Sequence, residues 1–297
     1  MSVIRFGQKN RYLIICLLFL TGPLVLAPHA EANTCRKLFS MFFTWPIYVT
    51  PLASFLGRNL LTHPQIFWRA ENIETKAVSL TYDDGPSVDP KHMPALLAAL
   101  RGQKIKATFF VLGDRLESDE GMKVLRQAYR DGHEIALHGY HHRVFTSLTD
   151  AEIEADVSDT ISAIRKALGP DAKLPTSWYI RTPWAKVDLR VLRVLKKLNC
   201  RVVMGSVVPG TLLPGIGDRR IYNEPTGLVI PRIMREIEPG DIIALHAGEE
   251  KEDGIDRVWN SPEAATTALA LGEMLIPQGY QFVSISELDQ LNKFPKR

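Results

Sequence analysis

From Lys76 onward the chain alternates short apolar runs with amphipathic stretches, and no other feature restricts its fold so strongly. The short runs at 76–83, 106–112, 133–138, 177–183, 201–208, 241–247 and 280–285 read as strands, with helical stretches between most of them. The clearest helix runs from Thr149 to Leu168, where Ile153, Val157, Ile161, Ile164 and Leu168 fall on one face and Thr149 stands at the cap position. Further helices are predicted over 189–198, 225–237 and 262–275. Seven strands joined through helices define an α/β protein with a parallel sheet closed, or nearly closed, into a barrel. In such folds the chemistry gathers at the carboxyl ends of the strands.

The 297 residues divide unevenly. Residues 1–32 have a basic start, an apolar stretch from Tyr12 to Ala27 and a small-residue site at Ala30-Glu31-Ala32, the pattern of a secretory signal peptide or, uncleaved, of a membrane anchor. Residues 33–75 form an apolar segment and linker. Its stretch from Leu38 to Leu56 is broken by Pro46 and Pro51, which disfavours a spanning helix and leaves packing on the domain or association with a membrane surface through residues 1–56. The catalytic domain is expected over 76–291. Without Arg5, Lys9, Arg11 and Glu31 the chain carries 33 basic and 32 acidic residues, a balance of +1 that gives no reason to expect a nucleic-acid partner. Cys16 lies in the leader, and Cys35 and Cys200 form neither a disulfide framework nor a Cys-x-x-Cys site; Cys35 and Cys200 could pair, or Cys200 could be a buried, inert thiol. The sequence sets no oligomeric state.

Four of the predicted strand ends carry ionisable groups. Leu80-Thr81-Tyr82-Asp83-Asp84-Gly85-Pro86 ends an apolar run in two adjacent carboxylates and a turn. On a regular strand these side chains would point to opposite faces, so the Gly-Pro turn matters if both are to serve one site. His138 and His142 follow the strand Glu134 to Leu137, and two imidazoles with one carboxylate suit a divalent cation such as zinc. Gly139 occupies the position at which a metalloprotease helix would carry its Glu, and His141 between the pair would equally suit a polar loop. Arg181, in Tyr179-Ile180-Arg181-Thr182-Pro183-Trp184, can hold a carboxylate in place as an anion, or pair at the surface. His246 ends the apolar run Ile242-Ile243-Ala244-Leu245.

Taken together these residues resemble the polysaccharide deacetylase family, the carbohydrate esterases with the NodB homology domain, over roughly residues 76–290, and Thr81-Tyr82-Asp83-Asp84-Gly85-Pro86 is the most specific part of the match. The resemblance implies a distorted (β/α)7 barrel and metal-assisted hydrolysis of an N-acetyl amide on a glycan substrate. It implies Asp83 as general base, Asp84, His138 and His142 as ligands of one divalent metal (zinc, with cobalt or nickel as alternatives), His246 as general acid and Arg181 as the group that orients Asp83. Trp184 and Leu245 would wall the pocket for the acetyl methyl group, with Pro183 and Tyr82 also on the substrate side, and a backbone N–H near Trp184 would face the oxyanion. The stretch from Gln281 to Leu288 resembles the family's last strand.

One departure stands out. Family members often carry an Asp that pairs with the catalytic His, and a nearby Trp, after the fifth strand; here Met204 to Leu212 contains neither. This predicts a weak or acid-shifted activity unless Asp218 or Glu224 substitutes. The readings in competition are an exported deacetylase acting on an N-acetylglucosamine polymer such as peptidoglycan or chitin, a deacetylase or deformylase of lipid-linked sugars, and a catalytically weak glycan-binding member.

Overall fold

Ten strands and seven α-helices are present in the computed structural model, which describes residues 63–71, 73–87, 92–208, 226–247, 249–252, 255–258 and 261–293. The leader, the segment 38–56, Cys35, Asp218 and Glu224 lie outside the described residues. In chain order the elements are β1 (Ile66–Phe67), β2 (Ala77–Gly85), α1 (His92–Gly102), β3 (Ala107–Val111), α2 (Asp119–Arg130), β4 (Glu134–Leu137), α3 (Asp150–Leu168), β5 (Trp178–Ile180), α4 (Leu189–Lys197) and β6 (Cys200–Val203). There follow α5 (Thr226–Glu236), β7 (Ile242–His246), β8 (Glu249–Glu252), β9 (Ile255–Val258), α6 (Ser261–Leu275), β10 (Gln281–Phe282) and α7 (Ile285–Lys293). Among the described residues no helix is long and apolar enough to cross a membrane.

The strands β7, β2, β3, β4, β5 and β6 are neighbours in that order, and every pairing is parallel. Past β6 the chain returns to β7 through a parallel bridge between Val207 and Ile243, reinforced by the Ser206 and Val207 N–H groups donating to Ile242 O. The barrel therefore closes, with β1 wedged beside Val202 and Val203. Parallel pairing puts all the carboxyl ends, and so Asp83, Asp84, His138, Arg181 and His246, around one mouth.

Two apolar clusters follow from the two-residue alternation of the strands. The larger joins the outward strand residues, among them Leu80, Tyr82, Phe109, Ile180 and Leu245, to the buried stripes of the helices, such as Leu96, Leu97 and Leu100 of α1 and Ile153, Val157 and Ile164 of α3. The smaller holds Phe67, Phe110, Ala136, Val203 and Ile242 together with Ile285 and Leu288, so α7 plugs the barrel at the end away from the mouth. α3 begins at the predicted cap: Thr149 Oγ1 accepts from Glu152 N, and the Glu152 carboxylate accepts from Thr149 N, a reciprocal capping box.

Two expectations need correction. Ile66–Phe67, placed in a linker, form a strand of the sheet; two residues are too few to register as an apolar run. The last strand is confined to Gln281–Phe282, because Ser284 and Glu287 cap a helix through Glu287 N to Ser284 Oγ and Ser284 N to Glu287 Oε2 bonds. Ile285 to Leu288 are helical as a result. Cys200 is buried in β6, and burial pushes its thiol up to about 12.

Candidate active site

Asp83 and Asp84 end β2 where the strand departs from regular geometry. Tyr82 pairs with Phe109 but Gly85 with Val111, so β2 spends an extra residue there, and Asp84 takes a left-handed φ of 66°. This irregularity, within the strand itself rather than in the Gly85-Pro86 turn, lets two consecutive carboxylates reach side chains carried by strands across the mouth. Asp83 meets Arg181 at the end of β5, whereas Asp84 meets the histidines after β4.

Asp84 Oδ1 lies 3.1 Å from His138 Nε2 and 3.4 Å from His142 Nε2. Ligand-capable atoms of the three residues all fall within 4.8 Å of one another. The His138 Nδ1 lies 2.7 Å from the carbonyl oxygen of Arg181, and a carbonyl only accepts, so Nδ1 carries the proton and Nε2 turns a lone pair toward Asp84. That bond fixes both tautomer and ring orientation in the manner of a metal ligand. Asp84 Oδ1 is buried and receives no hydrogen-bond donor, an acceptor facing two imidazole nitrogens. Burial opposes its ionisation, but positive charge at the facing His142, His138 and His246 positions outweighs that and holds the carboxyl well below the usual carboxylate range. The junction is thus suited to positive charge, and an N2O donor set of this kind fits zinc and similar divalent ions, with positions left open on the solvent side.

Asp83 is clamped separately. Arg181 Nη1 donates to Asp83 Oδ1 at 2.5 Å and to Thr81 Oγ1 at 3.0 Å, while Nε donates to Val203 O at 3.3 Å. The guanidinium lies 4.2 Å above the Phe110 ring. Both partners are nearly inaccessible, Asp83 at 5% and Arg181 at 3% exposure, so the pair is a fixed part of the mouth and not a solvated surface bridge. His246 stands opposite Asp83 in the β2–β7 register, where Ala247 N–H donates to Asp83 O at 3.0 Å.

Trp184 completes one wall. It sits in the short turn Pro183–Ala185 with φ of 60°, is 40% exposed, and its ring centroid is 5.3 Å from that of His142. Pro183 is buried beneath it. Two other expected wall residues are not brought to the site. Tyr82 is fully buried and stacks on Phe109 at 5.5 Å, and Leu245, its partner in register, is buried in the same outer cluster. The alternation that turns Asp83 and His246 inward turns these two toward the helices. His141 points away to Asp114 Oδ2, 3.5 Å distant, and takes no part in the cluster.

Comparison with known proteins agrees with this geometry. The profile of the polysaccharide deacetylase family matches residues 70–203. A peptidoglycan-N-acetylglucosamine deacetylase of Bacillus cereus is 30% identical over 224 residues, which is 75% of this chain and 92% of that protein. The chain belongs to the polysaccharide deacetylase family. A second member, the peptidoglycan-N-acetylmuramic acid deacetylase PdaC of Bacillus subtilis, is 28% identical over 73% of this chain but only 40% of its own length. The solved PdaC structure shares the fold with a TM-score of 0.58 at 24% identity, over 74% of this chain and 93% of that one. The fold is also shared by a family pseudoenzyme of Bacillus anthracis, at a TM-score of 0.59 and 21% identity, over 75% of this chain and 68% of that one. The common architecture is the distorted (β/α)7 barrel that the family resemblance implied.

Two further residues stand close behind the site without a role having been read for them in the sequence. Thr81 shares the inward face of β2 with Asp83 and receives Arg181. Asp156 interrupts the buried stripe of α3 between Ile153 and Val157, a polar residue at a core position, which was the available signal.

Proposed function

We propose that this protein is an exported, metal-dependent hydrolase that removes N-acetyl groups from N-acetylglucosamine-containing polysaccharide, of the peptidoglycan or chitin type. The observation that carries the proposal is the pairing, at one barrel mouth, of a cation-accepting triad with a separate carboxylate held by a buried guanidinium. A metal-binding relic has no use for Asp83 and its clamp, so the arrangement favours catalysis over glycan binding alone.

Asp84, His138 and His142 would hold the divalent metal, zinc in the first instance, which supplies Lewis acidity to the amide carbonyl and to water. Asp83 takes the proton from the attacking water, its carboxylate aimed by Arg181. His246, beside Asp83 on the neighbouring strand, donates a proton to the departing sugar amine. Trp184 bounds the acyl pocket beside His142 and offers its exposed ring to a sugar face. Residues 1–32 would direct export, and 33–56 would keep the enzyme at a membrane surface near its polymer.

The test is acetate release from chitin oligomers and from peptidoglycan by the full chain loaded with zinc, with a chelated sample alongside. Release that disappears on chelation and returns with zinc is expected. A fully zinc-loaded protein that releases no acyl group from either glycan would overturn the proposal in favour of a binding module.

A further inference from the structure

The two histidines of the triad are not held equally. His138 follows β4 directly and is fixed by its bond to Arg181 O, whereas His142 lies four residues on and adopts a left-handed φ of 55°. A non-glycine residue in that region persists only where its surroundings determine it. The surroundings here converge on one side chain of α3. Asp156, whose side chain is wholly inaccessible, accepts from Tyr140 N at 2.6 Å through Oδ1 and from Arg143 Nη2 at 3.2 Å through Oδ2. Tyr140 and Arg143 flank His142 on its two sides in the chain, so a single carboxylate ties down both ends of the segment that presents it.

The neighbouring Gly139 fits the same plan. It has φ of 86°, and a Cβ there would stand 3.0 Å from Asp156 Oδ1, so the loop approaches the carboxylate as closely as a residue without a side chain permits. On the opposite flank Gly139 O accepts from Gly113 N and Tyr140 O from Asp114 N. The backbone of 139–140 is thereby held from two directions, but only Asp156 reaches beyond it to residue 143.

We infer that Asp156 is a positioning residue of the metal site: it touches neither metal nor substrate and acts by fixing the loop that carries His142. The inference rests on the proposed metal reading of Asp84, His138 and His142. Outer groups that orient ligands typically affect metal affinity by about 10–100-fold. Asp156→Ala should therefore weaken zinc affinity by about that factor. Asp156→Asn keeps an acceptor for Tyr140 N–H and loses the charge facing Arg143, so its loss should be smaller, within about tenfold. Glu154→Ala, which removes an exposed carboxylate from the same helix, should leave the affinity of the wild type.

The experiment is zinc titration of the full chain and its variants by competition with a chromophoric chelator, together with melting of each protein with and without zinc. For Asp156→Ala the expected result is weakened binding and a reduced zinc-induced rise in melting temperature. If the Ala variant does not fold, Asp156→Asn and Arg143→Ala carry the same test, each expected to weaken zinc binding several-fold. Zinc affinity equal to wild type in folded Asp156 variants, with only the zinc-free melting temperature lowered, would overturn the inference and leave a structural role. A wild-type chain that binds no zinc would instead overturn the metal reading beneath it.

Discussion

Arg181 does three things that a lysine could not do from the same position. Its planar fork reaches Asp83, Thr81 and the Val203 carbonyl while its face rests on Phe110. Arg181→Lys should accordingly lower kcat by about 10–100-fold while the zinc affinity stays near wild type, measured by acetate release at saturating zinc. Asp83→Asn should cost about 100-fold or more in kcat. It also strands the buried guanidinium without its anion, at a stability cost of roughly 3 kcal/mol in urea unfolding. The double variant Asp83→Asn with Arg181→Met should recover stability without recovering turnover. That result would separate the carboxylate's work on water from its structural pairing. The motif residues were legible because each ends an apolar run, and strand ends are where barrels place chemistry. Tyr82 and Leu245 were misplaced because a motif lists consecutive residues, whereas a strand sends consecutive side chains to opposite faces.

Among the elements, the strands from β2 onward around the barrel and the long helix α3 could be read from the sequence, and β1 could not. The strands β2, β3, β4 and β7 run for four residues or more and each holds at least three apolar residues, and α3 declares itself through its stripe and its Thr149 cap. The two-residue β1 has no pattern of its own and exists only through pairing with β6. At the end of the chain the family resemblance implied a strand over Gln281 to Leu288, while Ser284-x-x-Glu287, a capping signal in the same residues, decided for a helix. The place where β1 meets the barrel can be tested through Gly240. It has φ of 90°, its N–H donates to Ala77 O, its carbonyl accepts from Ala70 N, and a Cβ would stand 2.0 Å from Ala70 O. Gly240→Ala should destabilise the fold by more than about 3 kcal/mol, because the contact is backbone against backbone and neither strand can yield alone. Thr149→Ala at the α3 cap, by contrast, should cost only about 1 kcal/mol. Chemical denaturation of both variants checks the contrast.

The response of the whole molecule to acid depends in part on a histidine far from the chemistry. His133, at the turn between α2 and β4, is 5% exposed, packs edge-on against Phe109 and accepts the Ala107 N–H through Nδ1. Nδ1 therefore cannot take a proton without losing that bond and setting two donors face to face. Burial lowers its pKa from 6.5 to about 4, with Asp131 opposing and Arg101 reinforcing the shift. Because the folded value lies below the unfolded one, the unfolded chain binds the extra proton throughout the window between them. Stability from this residue is complete above pH 6.5, declines as the pH falls, and stops changing once both states are protonated below about 4. Over that window the loss is on the order of 3 kcal/mol. His133→Leu keeps the apolar contact with Phe109 and orphans the Ala107 N–H, a cost that does not vary with pH. In chelated samples, where the rest of the molecule is the same in both proteins, the stability advantage of wild type over His133→Leu should therefore shrink by about that amount between pH 7 and pH 4. A gap that stays constant across this range in urea unfolding would mean that His133 is solvated in the native state.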